Sequence, residues 1–348
     1  MNNEYEIFFN EYTDKIDEYY NLLKKKKKKA IIATTIFTII LILVFVIGTL
    51  GLELVFENGY LLQILGSVVI AVVAFLSIIV KMRRELYKIN EKVIHDIIKY
   101  ISKDDNCIYS PNKRISAKNI QEMELFNFKT LKYNGKNAIS ANYNNNMMNF
   151  ADMEVYYYKD KITEQVQYDS EGRQYTKIIK DKIKKTVFNG CYIGATLNKK
   201  IADHIYLIPN NLEDIFLNGA INEYITYSGN KLELENLEFS EKYRVYSDDE
   251  IQARYILSLK LMEQINQIDD LFSGKKYIVF KEGRRFAICI QDFRIEDLRK
   301  ALLPFNKNSN KLNENLNYIF KNIYNLFNIY NILDLGNDVY TDNYVDKK

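Results

Sequence analysis

The chain has 348 residues, 27% of them charged and 47% apolar, with a formal net charge of +3. That composition excludes a disordered chain and leaves room for one sizeable domain or two small ones. Nine of the 48 lysines and arginines sit in two short clusters and no basic stripe is apparent on the rest, so no nucleic-acid partner is expected.

Residues 3–23 place Phe8, Tyr12, Tyr19 and Leu23, with Ile16 between, on one helical stripe. Two uncharged apolar runs follow, Ala30–Leu52 and Gly59–Val80. As a helix each reaches roughly 33 Å at about 1.5 Å per residue, enough to cross a hydrocarbon core of about 30 Å. Glu53, Glu57 and a few neutral residues separate them, so the pair reads as a tight transmembrane hairpin. Lys24, Lys25, Lys26, Lys27, Lys28 and Lys29 precede the first run, and Lys81, Arg83 and Arg84 follow the second. The positive-inside rule then puts both flanks and both termini on the cytoplasmic side of a multi-pass inner-membrane protein. The same cations would face the anionic leaflet, which makes membrane lipids an expected partner. Ser67, Ala71 and Ala74 share one face of the second run, and Gln63 is expected to turn toward the partner helix. No ionisable residue lies in either run, which argues against a proton or ion path.

Leu86, Ile89, Val93, Ile97 and Ile101 form a second stripe, expected to pair with the first. From about Ile115 to Gln291 the texture is β-rich. The expected strands are Ala138–Tyr143, Asp152–Tyr158, Thr186–Thr196, His204–Ile208, Tyr224–Tyr227, Tyr243–Tyr246, Lys276–Phe280 and Phe286–Ile290. Asn134-Gly135, Ser228-Gly229 and Glu282-Gly283 offer the positive φ that tight hairpins need. A helix is expected over Asp248–Ile268, opened by a capping box between Ser247 and Glu250, with Ile251, Tyr255, Leu259 and Met262 as its apolar face. After Pro304, Leu312, Leu316, Ile319, Ile323, Leu326, Tyr330 and Leu333 repeat with 4-3 spacing. Coiled-coil self-association and docking, on the domain or on the juxtamembrane helices, both fit that stripe; Phe320 and Phe327 widen it toward docking.

The organisation expected is an N-terminal amphipathic helix and poly-lysine segment over 1–29 and a transmembrane hairpin over 30–80, with spans 30–52 and 59–80. A juxtamembrane helix over 81–104, an α+β domain over 105–303 and a C-terminal helix and tail over 304–348 follow. Strands interrupted by one helix, without regular alternation, make the domain a mainly antiparallel α+β fold.

Chemistry is sparse. His95 and His204 are the histidines, and neither has a second ligand at metal spacing. Cys107, Cys191 and Cys289 are too isolated for a disulfide framework and fit a reducing compartment. Gly274-Lys275 lacks the upstream glycine of a phosphate loop, since Asp269 stands there. Asp248, Asp249 and Glu250 read as first-turn charges that a helix dipole favours, with a hard cation as the other reading. Lys177, Lys180, Lys182, Lys184 and Lys185 alternate with isoleucines as a solvated strand face, or as a contact for anionic headgroups. Arg244 and Arg254, beside Asp248 and Asp249, are the first residues to consider for a ligand or partner contact, because an arginine forks onto phosphate. No catalytic residue, metal ligand or cofactor is assigned.

Val187-Phe188-Asn189-Gly190-Cys191-Tyr192-Ile193 through Asn198-Lys199, Leu237-Glu238-Phe239, the stretch Tyr243-Arg244-Val245-Tyr246-Ser247-Asp248-Asp249-Glu250-Ile251-Gln252-Ala253-Arg254-Tyr255-Ile256-Leu257, and Phe286-Ala287-Ile288 are familiar together. In them the chain resembles the bacterial membrane-protein family catalogued as domain of unknown function 3137. The likeness covers most of residues 85–300 and implies a two-helix anchor followed by a cytoplasmic domain. Leu259 stands where that family usually has proline, and Asn137 replaces an acidic residue after Tyr133-Asn134-Gly135. The resemblance implies no activity. The function expected is a non-enzymatic, membrane-anchored module that binds an unknown protein partner or organises an assembly, with a homo-oligomer also open. The alternative is an enzyme or sensor that binds a phosphorylated small molecule or lipid headgroup.

Overall fold

A computed structural model describes residues 2–52, 60–168, 170–210, 229–301 and 309–335. It divides the chain into two compact units, residues 1–96 with 299–317 and residues 97–298 with 318–348.

The first unit is built on two long helices, α1 (Asn2–Leu52) and the leading part of α2 (Tyr60–Ser102). They lie antiparallel. The Tyr19 hydroxyl donates to Asp96 at 2.8 Å, Lys26 pairs with Glu85 at 3.1 Å, and the Phe37 and Phe75 rings stack with centroids 4.3 Å apart. The Tyr5 hydroxyl donates to the Asn313 carbonyl at 3.1 Å, which ties α1 to the last helix within this unit.

The transmembrane hairpin is corrected here. Among the described residues no helix is long and apolar enough to cross a membrane. The multi-pass inner-membrane location loses its basis with it. Each apolar run is one portion of a longer helix that also carries charged turns, the lysines of α1 and the Lys81–Arg84 segment of α2. Exposed apolar side chains remain on both, Ile31, Ile36 and Leu43 on α1 and Val69, Val73 and Leu76 on α2. Residues 53–59, and the side chains of Ile16, Leu23, Lys27, Gln63, Ser67, Ala71, Ala74, Leu86 and Leu312, lie outside the described ones.

The second unit carries a nine-stranded antiparallel sheet. Its strands are β1 (Ile108–Ser110), β2 (Lys132–Tyr143), β3 (Asn146–Tyr168), β4 (Gln174–Ile201), β5 (Ile205–Pro209), β6 (Asn230–Leu232), β7 (Tyr243–Ser247), β8 (Lys276–Lys281) and β9 (Gly283–Gln291). They lie in the order β1-β2-β3-β4-β9-β8-β5-β7-β6. The expected mainly antiparallel α+β domain is therefore present, and seven of the expected strands fall on observed ones; Tyr224–Tyr227 lies outside the described residues.

The sheet is buried on both faces at its centre, where every residue of β5 and β8 is buried. One face, with Met153, Val155, Phe188, Tyr192, Tyr206, Tyr277 and Val279, packs under the segment from Ile115 to Leu131, which holds the short helix α3 (Ala117–Gln121). The other face receives the last helix, α8 (Ser309–Ile332). From Tyr318 onward it docks on the sheet: Phe327 meets Phe150 at 4.8 Å and Tyr143 at 5.3 Å, and Asn146 donates to the Tyr330 hydroxyl. Those contacts account for the stripe that Phe320 and Phe327 widen.

Turn chemistry differs from expectation at two places. Asn134-Gly135 lies inside β2, and the β2–β3 hairpin closes on Asn144 and Asn145, with φ of 48° and 63°. Both central residues of a tight hairpin turn need positive φ, which asparagine tolerates. Gly283, at φ 89°, does close the β8–β9 hairpin as expected. The helix expected over Asp248–Ile268 is two helices, α5 (Glu250–Ile256) and α6 (Leu259–Leu271), after the short α4 (Leu237–Lys242). Leu257 leaves helical geometry and Ser258 caps the new start, so the chain breaks there although Leu259 is no proline. Of the expected face, Ile251, Tyr255 and Leu259 are exposed and Met262 is buried, alongside Ala253, Ile256, Leu261, Ile265 and Ile268.

Candidate functional site

β3 and β4 outrun the sheet. β2 pairs with β3 only as far as Tyr156, and β9 pairs with β4 only from Gly190 onward. Among the described residues, Tyr157–Tyr168 and Gln174–Lys185 pair only with each other, as a two-stranded ribbon. Cross-strand partners share a face. One face therefore holds Tyr158, Ile162, Val166 and Ile178 with Lys180, Lys182 and Lys184; the other holds Ile179 and Ile183 with Lys177 and Lys185. Water reaches most of it: Ile162 is 62% exposed and Ile178 59%. At the ribbon's base Lys184 pairs with Glu154 at 2.6 Å and lies 4.2 Å from the centre of the Tyr156 ring. The hydrogen bond to Glu154 raises the Lys184 pKa. Lys177, Lys180, Lys182 and Lys185 make no ion pair among the described residues. A hairpin of two strands is marginal in water, and its open edges invite a further strand.

Of the acidic residues nominated from sequence, Asp249 uses its carboxylate at a helix start, while Asp248 is held through its backbone N–H. The Asp203 carboxylate accepts from the backbone N–H of Asp248 at 3.1 Å and of Asp249 at 2.8 Å. Asp249, not Ser247, caps α5 by accepting from the Gln252 N–H at 3.0 Å. Arg254 binds Glu250 at 2.9 Å and the Glu233 carbonyl at 2.8 Å. The Arg244 Nε donates to Asn210 Oδ1 at 2.6 Å. No hydrogen bond or ion pair brings the two arginines onto a common partner among the described residues. Of the basic residues flanking the apolar runs, Lys24, Lys25, Lys28, Lys29, Lys81, Arg83 and Arg84 are exposed, and Lys26 pairs with Glu85.

Three polar clusters were hidden from sequence because each joins side chains of different elements. Lys281, nearly buried, binds Glu124 and lies 3.2 Å from His204 Nε2, while His204 Nδ1 accepts from the Glu282 N–H at 3.1 Å. The neighbouring Tyr206 is buried beside this cluster, and desolvation raises its pKa. Asp152 accepts from Asn137 at 2.6 Å and from the N–H groups of Ile295 and Glu296 at 2.6 and 2.9 Å, at the start of α7 (Ile295–Ala301). Burial raises the Asp152 pKa against those hydrogen bonds, which lower it. Asn137 holds φ 54° to reach both Asp152 and Glu296. Lys276 pairs with Asp269 at 3.0 Å, and Asp269 accepts from Tyr243 at 2.9 Å, beside a cleft of about 140 Å³ lined also by Pro209, Lys242, Gly274 and Lys275. Carbonyl oxygens of Asp269 and Phe272 accept the rest of the Lys276 ammonium, so it serves the fold. The three cysteines are buried, and desolvation pushes the Cys191 and Cys289 thiols well up. Among the described residues no group of His, Cys, Asp and Glu is placed to hold a metal ion.

No curated protein matches the chain. The solved structure of the mycobacterial trehalose monomycolate transport factor A aligns over 69% of this chain and 96% of its own, at 9% identity and a TM-score of 0.31. At that score the likeness bears on neither fold nor function. The family match falls on the sheet and the last helix: residues 186–335 match the model of a protein family of unknown function, DUF3137.

Proposed function

We propose that this chain is a non-enzymatic protein-interaction or assembly module and that the β3–β4 ribbon is its recognition element. One observation carries the reading. Two strands are extended about a dozen residues past their last sheet neighbours, with Tyr158, Ile162, Val166, Tyr168 and Ile178 left in water. A segment that adds no core burial and exposes apolar side chains fits a surface that a partner covers. The alternative, a sensor for a phosphorylated ligand, draws less support, because Arg254 is already held by Glu250 and a backbone carbonyl.

Tyr158 and Lys184 face each other across the ladder, so an Asn-Gly turn joining them in place of residues 159–183 removes the ribbon and spares the sheet. Both forms are purified from the native cell, and co-purifying proteins are quantified by mass spectrometry. The expected result is a near-stoichiometric partner with the full chain that is lost with the shortened one. The same partners with both forms, or none with either, overturns the reading.

A further inference from the structure

We propose that the open edge of β4 from Gln174 to Thr186 takes an acidic, extended segment of a partner protein as an added antiparallel strand; this rests on the interaction reading above. The edge is a continuation of an occupied lane. β9 pairs antiparallel with β4 and ends at Gln291 opposite Gly190, and the next N–H, of Asp292, donates to the Asn189 carbonyl at 2.9 Å. Beyond that point the lane beside β4 is vacant among the described residues. Backbone groups on such an edge supply affinity to any strand, and side chains supply selectivity.

The side chains specify the partner. Between Gln174 and Thr186 stand five lysines, Lys177, Lys180, Lys182, Lys184 and Lys185, against Asp181 alone. Lys180, Lys182 and Lys184 succeed one another on one face, while Ile179 and Ile183 lie on the other. An incoming strand that alternates carboxylate and aliphatic side chains puts its charges beside the lysines and its apolar groups beside the isoleucines. A second copy of this chain does not fit. Lysines on an edge repel the same edge of a twin. The outer edge of β3 offers Lys159 and Lys161 with Asp160 and Glu164, a balanced set with no complementarity to β4.

The test uses the purified full chain and a labelled peptide alternating Glu and Val. Its controls are a Lys-Val counterpart, a form with N-methylated backbone amides, and vesicles of phosphatidylglycerol. Fluorescence anisotropy is expected to show binding of the Glu-Val peptide alone. K180E/K182E is expected to weaken it at least about tenfold, as is N-methylation, because strand addition needs the peptide's N–H groups. Hydrogen exchange of the Gln174–Thr186 amides slows in the complex, and an unchanged melting temperature shows that K180E/K182E still folds. Equal binding of the N-methylated peptide, indifference to K180E/K182E, or binding to vesicles but not to the peptide overturns the proposal. A chain that captures its partner through the ribbon yet ignores the acidic peptide overturns this inference alone. Capture that survives removal of the ribbon overturns the reading beneath it.

Discussion

β3 and β4 are each one strand with two environments. Near the sheet, Met148, Phe150, Val155, Phe188 and Ile193 are almost fully buried; in the ribbon, Ile162, Val166 and Ile178 are more than half exposed. The same two strands pair through both halves, with one register shift between Val155 and Tyr156 where the halves meet. The contrast separates pairing from burial. Net stabilisation per hydrogen bond is small, because the unfolded chain bonds to water, whereas an apolar side chain contributes by leaving water. The inner halves therefore hold the fold, and the outer halves are kept by something other than the fold's own stability.

The largest effect that contrast predicts lies at Phe150, fully buried under Phe327. Phe150→Ala removes a ring that the surroundings cannot refill and should lower the unfolding free energy by about 4 kcal/mol in urea denaturation. A loss below about 1 kcal/mol would mean that α8 does not seal this face, and the division between the two halves of β3 would blur.

Next comes Asp152, which is buried and holds the first N–H groups of α7. Asp152→Ala leaves those two N–H groups without their acceptor and Asn137 with Glu296 alone, and should cost about 3 kcal/mol. The group also gives the fold a pH signature. Burial raises its pKa above the ordinary carboxylate value, so the folded state holds the proton more tightly than the unfolded chain. Its contribution is fullest below the unfolded pKa and is lost as pH rises through the folded one. The stability of the wild type relative to Asp152→Asn should therefore fall as pH climbs out of the carboxylate range. A difference that rises with pH would show that the hydrogen bonds outweigh desolvation.

How much of this was legible depends on how local the cause is. The β8–β9 hairpin was readable because Glu282-Gly283 interrupts two apolar alternations, and the docked last helix because Phe320 and Phe327 broaden its stripe. The ribbon was half legible. Its lysine–isoleucine alternation was read as a strand face, yet nothing in it says that no neighbour lies alongside. The two long helices were misread because hydropathy weighed the apolar runs apart from the charged turns that continue them. The Lys281–Glu124–His204 cluster was invisible, since its members are separated by 157 and 77 residues. Asn137 stands out in sequence only as a departure from the resembled family, and nothing local shows that its left-handed backbone turns its amide to Asp152.

Ser258 is an intermediate case, water-exposed but tied to a buried helix. Its hydroxyl accepts from the Leu261 N–H at 3.3 Å and starts a helix whose Leu261, Met262, Ile265 and Ile268 are buried. Ser258→Ala should cost about 1 kcal/mol, the ordinary worth of a cap. Ser258→Gly should cost only a few tenths, because a glycine leaves the free N–H open to water. Equal losses from both would place the break at Leu257 under the control of packing instead of the cap.

The smallest expected effect is the most telling. Ile162→Ser removes an aliphatic group that is already 62% exposed and should shift the unfolding free energy by no more than about 0.5 kcal/mol. Amides of Gln174–Thr186 should exchange with solvent well before those of Gly190–Thr196, which have neighbours on both sides. If Ile162→Ser instead cost more than about 1 kcal/mol, or the two stretches exchanged together, the ribbon would belong to the cooperative fold. Its exposed isoleucines would then be part of a stabilising surface, and a partner strand would not be needed to explain why so long an edge is kept.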